Sequence, residues 1–176
     1  MKKYEFTEET LDWEGRTLHR IRALKDFSDV KTGDIGGWIE KEKNLSHNGD
    51  CWIYDSAKIY GSAKIYESAE IYGSAEIYGS AKICDSAVVY GSAEICGSAC
   101  INSTRDYMTI NPIGSRNGAT TAFRTSEGTK IRCGCFYGNI PEFEEKVKET
   151  HGDNQYAKEY LAFIELLKVR FKDYEN

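Results

Sequence analysis

Ile59-Tyr60-Gly61-Ser62-Ala63-Lys64, Ile65-Tyr66-Glu67-Ser68-Ala69-Glu70 and Ile71-Tyr72-Gly73-Ser74-Ala75-Glu76 are one hexapeptide written three times with small changes. Working outward, an aliphatic residue holds every sixth position from Ile53 to Ile101, with Val89 as the one departure from isoleucine. Alanine holds a second six-residue phase from Ala57 to Ala99. A period of six matches neither the 3.6-residue helical turn nor long alternating strands. It is the repeat of a parallel β-helix, in which short strands stack coil upon coil. Strand alternation turns Ala and Ile inward, two residues apart, and leaves Lys or Glu and Tyr outside. Gly or Asp followed by Ser makes each corner, where positive φ or a side-chain-to-backbone hydrogen bond is useful.

Three such strands close one triangular coil, which sorts the outward residues onto three faces. Trp52, Tyr54, Glu70, Tyr72, Val88 and Tyr90 share the first. Lys58, Tyr60, Glu76, Tyr78, Glu94 and Cys96 share the second, and Lys64, Tyr66, Lys82, Cys84, Cys100 and Asn102 the third. The first face is the most apolar, a liability if left wet. Trp52, Tyr54, Tyr72, Val88 and Tyr90 are therefore expected to lie against neighbouring subunits or under the chain's own terminal segments.

The flanks divide the chain into three units. Residues 1–44 read as a small N-terminal β cap, with strands over Lys3–Thr7 and Arg16–Leu24 about the turn Glu14-Gly15, then the glycine-rich corner Gly36-Gly37-Trp38. Residues 45–104 are the repeat. Residues 105–176 form a β/α module, with strands over Met108–Ile113, Thr120–Arg124 and Thr129–Tyr137. A helix over Glu142–His151 follows and ends at Gly152, and a second helix follows Asp153-Asn154. Its stripe Tyr156, Tyr160, Phe163, Ile164, Leu167 and Phe171 has the spacing of a packed helical face. The fold class is thus mainly β: a parallel β-helix solenoid, an N-terminal β cap, and a C-terminal small β plus two-helix module.

Composition narrows the function. A net charge of −5 and a pI near 5.3 argue against a general nucleic-acid-binding surface. No apolar run approaches the roughly 18 residues that cross a bilayer, so no membrane span is expected. MKKYEFTEET has none of the apolar core of a signal peptide. Four of the six cysteines, Cys51, Cys84, Cys96 and Cys100, sit inside the repeat, while Cys133 and Cys135 lie beyond it. Together these features point to reduced thiols in the cytoplasm.

The segment resembles the hexapeptide-repeat, left-handed parallel β-helix family; the handedness rests on that resemblance. The likeness implies a homotrimer or higher oligomer, and many members are acyltransferases. Asp29-Val30, Gly36-Gly37-Trp38-Ile39 and Gly49-Asp50-Cys51-Trp52-Ile53-Tyr54 are similar to the N-terminal segment of such proteins from bacteria and their phages. Ile113-Gly114-Ser115-Arg116-Asn117, Cys133-Gly134-Cys135-Phe136-Tyr137-Gly138 and Thr150-His151-Gly152-Asp153-Asn154 resemble a module common in phage and prophage proteins of this kind. Phages encode small oligomeric proteins that sequester nucleotide signals of bacterial immunity, an analogy at the level of fold alone.

Acyl transfer needs a histidine base at a subunit boundary, and the histidines are His19, His47 and His151. His19 falls on an N-terminal strand and His47 in the large-aliphatic phase of an incomplete coil, which leaves His151. Cys133-Gly134-Cys135 places two thiols on one strand face without a second ligand pair for zinc, so no metal, catalytic residue or cofactor is expected. Asn111 to Thr121 and Arg124 combine a glycine-flanked turn, hydroxyls, an amide and two guanidinium groups. Those are the parts that hold a phosphate or polar heterocycle. Ser115, Arg116, Asn117, Thr121 and Arg124, with His151 and Asp153 from the loop before the second helix, are the expected ligand-binding residues. The reading is a non-enzymatic oligomer that binds or sequesters a small anionic ligand such as a nucleotide. The alternatives are a hexapeptide-repeat acyltransferase and a structural rod or adaptor for a protein partner.

Overall fold

In a computed structural model that describes residues 2–172, the repeat forms a parallel β-solenoid. Each repeat contributes one two-residue strand: β4 (Trp52–Ile53), β5 (Lys58–Ile59), β6 (Lys64–Ile65), β7 (Glu70–Ile71), β8 (Glu76–Ile77), β9 (Lys82–Ile83), β10 (Val88–Val89), β11 (Glu94–Ile95) and β12 (Cys100–Ile101). They stack into three parallel columns, β4-β7-β10, β5-β8-β11 and β6-β9-β12, always in register, with Ile59 opposite Ile77 and Ile77 opposite Ile95. The Ile and Ala rows are at most 1% exposed, so the hexapeptide pattern is the core pattern. Corner residues Asp55, Gly61, Glu67, Gly73, Gly79, Asp85, Gly91 and Gly97 all take positive φ. At Gly79 the choice is forced twice, because an added Cβ would also stand 2.8 Å from the Gly97 nitrogen of the next coil.

The N-terminal unit closes the upper end. Strands Tyr4–Trp13 and Arg16–Ala23 form an antiparallel hairpin about Glu14-Gly15, and Ile35–Ile39 joins it to the solenoid by pairing parallel with β5. The cap is therefore continuous with one face of the column. Lys3 is completely buried there: its Nζ donates to the carbonyls of Cys51 at 2.7 Å and Gly49 at 3.2 Å, and lies 3.2 Å from Cys51 Sγ. Those carbonyls belong to the open edge of the first coil, which needs partners. Burial pushes the lysine below its ordinary pKa, an effect the Cys51 sulfur opposes.

On the first face, Trp52 is 1% exposed beneath Phe27 and Tyr4, and Tyr54 donates to Asp29 while stacking on Tyr72 at 4.1 Å. Tyr72 and Val88 are half-buried and Tyr90 is 54% exposed, its ring edge against Tyr107. The N-terminal cap thus covers the upper end of this face, and exposure grows towards Tyr90 at the lower end.

The C-terminal unit closes the other end with a four-stranded antiparallel sheet of Tyr107–Ile113, Gly118–Thr125, Gly128–Cys133 and Phe136–Gly138, here β13 to β16. Strand β14 is buried on both sides. Thr121 and Phe123 face the last coil, while Thr120 and Ala122 face the helices α1 (Ile140–His151) and α2 (Gln155–Arg170). Hydroxyls of this unit satisfy the open edge: Thr104 accepts from the Val88 amide, Tyr107 from Tyr90, and Thr121 from Glu94 at 3.1 Å. Asn139 caps α1 with Glu142 answering as its capping-box partner, and Asn154 caps α2. The strand expected over Thr129–Tyr137 is two strands, because Gly134, at φ 59, turns the chain between Cys133 and Phe136. All six cysteines are unbridged. Among the described residues no helix is long and apolar enough to cross a membrane.

Candidate functional site

The turn joining β13 to β14, the turn joining β15 to β16, and the inner faces of α1 and α2 converge on a cleft of about 280 Å³. Its floor is aromatic and apolar. Phe143 meets the Tyr160 ring edge-on at 5.5 Å, Phe136 lies 5.0 Å from Phe143, and Val147 completes the wall. These positions come from helix periodicity: Phe143 and Val147 are four apart on α1, one turn along the same side.

Basic side chains ring the mouth. Arg116 reaches across from its turn and lays its guanidinium against Gly134, occupying the volume a side chain there would need. It forms no ion pair with any described residue. Lys146 comes from α1, where it pairs with Glu149 at 2.7 Å. His151, on the last turn of α1, stacks on Tyr160 with ring centroids 5.8 Å apart and planes 26° apart. Among the described residues no hydrogen bond holds its ring nitrogens. Ser115 and Thr150 add hydroxyls at the rim.

Two thiols line the same cleft. Cys133 is 9% exposed, accepts from Thr120 Oγ1 at 3.1 Å and donates to the Tyr160 hydroxyl at 3.7 Å. Burial, and then the Cys133 contact, push Tyr160 up to about 12, while the positive charge of Arg116 pulls the other way. The phenol is thus a neutral donor at physiological pH, and the fixed charge in the cleft is positive. Cys133, Cys135 and His151 share the cleft without converging as ligands. Among the described residues the one set of three or more acidic, thiol or imidazole groups whose donor atoms lie within 4.8 Å of one another is Glu67, Cys84 and Asp85, on a solenoid corner.

The sequence-predicted residues separate into distinct places. Ser115, Arg116 and His151 meet in this cleft. Asn117 is exposed at φ 47 in the turn, outside the lining. Asp153 is exposed in the link between the helices, also outside it. Thr121 is fully buried against the solenoid, accepting from the Glu94 amide and donating to Thr109 Oγ1 at 3.0 Å. Arg124 lies at the far end of β14, paired with Asp106 at 2.9 Å and stacked over Phe171. Sequence reasoning missed the aromatic floor and Lys146; the four-residue spacing of Phe143 and Val147 was the signal that could have located it. His19 stacks on Phe6 at 4.7 Å, and His47 accepts from the Lys3 amide through Nδ1, so both are held by the N-terminal cap.

No protein-family model matches the chain. A protein of Escherichia coli (strain K12) described as the uncharacterized acetyltransferase YdcK is 49% identical over 47 residues, which is 26% of this chain and 14% of the relative. The chain therefore spans a small part of that relative's length. The shared stretch and the stacked coils together fit the hexapeptide-repeat β-helix family.

Proposed function

We propose that the chain is a non-enzymatic, oligomeric binding protein that takes up a small anionic ligand in the Arg116–His151 cleft. The observation that carries this reading is Arg116: a guanidinium with no acidic partner among the described residues, at the rim of an apolar floor. Such a pairing of convergent charge with aromatic walls suits a ligand that has both an anionic group and a flat or apolar body. A volume of about 280 Å³ suits a mononucleotide-sized anion better than a dinucleotide. Arg116 would fork onto phosphate or carboxylate oxygens, with Ser115 donating beside it. His151 and Tyr160 would flank the ring of the ligand. The solenoid is the scaffold, and a phage-encoded sequestration of a nucleotide signal is the biological role that this chemistry would serve.

Native mass spectrometry of the protein taken directly from expressing cells tests this. The expected result is a retained small-molecule mass that is absent from Arg116→Ala at unchanged assembly mass. A protein that emerges bare and takes up no added nucleoside monophosphate contradicts it.

The relative's name supports a second reading, acetyl transfer, with His151 as the base. Among the described residues its ring nitrogens make no hydrogen bond, which leaves one open to accept a proton. Acetyl-CoA turnover that disappears in His151→Ala would establish that reading. Absence of turnover in the wild-type protein would remove it.

A further inference from the structure

A second cleft, about 700 Å³, opens where the last coil of the solenoid meets the C-terminal sheet and the end of α2. Among the described residues it is lined by three arginines, Arg105, Arg124 and Arg170, against one carboxylate, Asp106. In a chain of net charge −5 the described lining thus carries an excess of two positive charges.

The hydrogen-bond inventory says what the cleft can receive. Asp106 is fully engaged, accepting from the amides of Asn102 at 3.0 Å and Ser103 at 2.9 Å and pairing with Arg124. Asn102 Oδ1 accepts from the thiols of Cys84 and Cys100. The hydroxyls of Ser103 and Thr125 are held by their own turns. What remains is almost all donor. Among the described residues Arg105 is exposed and meets no partner, the Asn102 amide nitrogen is unengaged, and the Ser126 and Thr129 hydroxyls make no hydrogen bond. Arg170 gives two hydrogen bonds from Nη2, to the carbonyls of Thr104 and Tyr107, yet its buried Nε meets no acceptor among the described residues. A buried N–H with nothing to donate to is costly and marks a place where an acceptor belongs.

From this geometry we infer that the junction cleft is a second ligand site, and that it takes a phosphomonoester carried on a polar, non-aromatic body such as a sugar phosphate. A phosphate ester brings close to two negative charges at neutral pH and three acceptor oxygens, matching the two-charge excess and the surplus of donors among the described lining residues. Among the described residues no aromatic or large aliphatic side chain lines the cleft, so these residues offer nothing on which a nucleobase could stack. This is the opposite of the Phe136–Phe143–Tyr160 floor. The site is built by both structural units, so its occupant would also tie the C-terminal module to the column.

Calorimetry with glucose 6-phosphate and with inorganic phosphate, on wild type, Arg105→Ala and Arg116→Ala, tests the inference. The Arg105 side chain is exposed and makes no hydrogen bond or ion pair among the described residues, and its truncation keeps the backbone N–H that donates to Ser103, so the variant is expected to fold. The expected result is glucose 6-phosphate binding that falls about tenfold or more in Arg105→Ala, as for loss of a charged hydrogen bond, and is unchanged in Arg116→Ala. Inorganic phosphate should compete for the same site with lower affinity, lacking the hydroxyls that Ser126, Thr129 and Asn102 would meet. No binding by wild type, equal binding by Arg105→Ala, or a loss confined to Arg116→Ala would each overturn it. The last result would place the ligand in the other cleft, and the Arg116 site stands or falls separately.

Discussion

Arg116 and Arg124 stand off opposite ends of strand β14 and line different clefts, Arg116 against Gly134 and Arg124 against Asp106. At roughly 3.3 Å per residue the length of that strand keeps their backbones some 20 Å apart, too far for one small ligand. Arg124→Ala should therefore leave nucleotide binding at the first cleft unaltered. It removes a pair whose side chains are each 16% exposed and strands Asp106, so stability should fall by about 2 kcal/mol. Urea denaturation alongside a binding titration separates the two effects; loss of nucleotide binding with intact stability would contradict this placement.

Solenoid corners differ in how closely the next coil approaches. Gly79 and Gly91 have nearly the same conformation, at φ 70 and 73, but only Gly79 has another coil's backbone where a Cβ would go. Gly91→Ala should cost about 1 kcal/mol, the price of a left-handed residue. Gly79→Ala should cost more, by about 1 kcal/mol or beyond, since backbone must shift. Equal losses in chemical denaturation would show that the coils are not stacked as described.

Lys3 closes the upper edge of the column through two carbonyls and a sulfur. Lys3→Met fills much of the volume without supplying donors, so a destabilisation of about 2 kcal/mol is expected for the unmatched carbonyls. A methionine variant as stable as wild type would mean that the edge needs no such closure.

Alkaline pH offers a probe of tyrosine burial. Burial holds both Tyr107 and Tyr160 up to about 12, against an ordinary value near 10. The unfolded chain therefore loses these protons first. Stability is intact below about pH 10 and drains away as pH climbs from there through about 12. Urea midpoints measured across that interval should fall, and fall less steeply in Tyr160→Phe. A flat profile would contradict the buried, protonated phenols.

The solenoid was legible because every coil solves one packing problem. Ile and Ala recur at six because each inward position repeats at six, and the structure buries every one of them. The cap hairpin was legible at Glu14-Gly15, and the helix ends at Asn139, Gly152 and Asn154 follow from local hydrogen bonding and backbone freedom. The site was only half legible. Residue chemistry marked Ser115, Arg116 and His151 as binding groups, but strand length separates Arg124 from them and alternation turns Thr121 into the solenoid. Which side of β14 faces which neighbour depends on how the sheet docks on the last coil, and that is a long-range fact with no local signature. The tight turn at Gly134-Cys135 was hidden for a related reason: a continuous run of strand-forming residues carries the break in one glycine.

The most direct measurement is isothermal titration of adenosine 5′-monophosphate into the wild-type protein and into Arg116→Ala. The account predicts one site per chain in the wild type and affinity at least about tenfold weaker in the variant. Indistinguishable isotherms, or no heat from either protein, would contradict the assignment of the Arg116–His151 cleft as an anion-binding site.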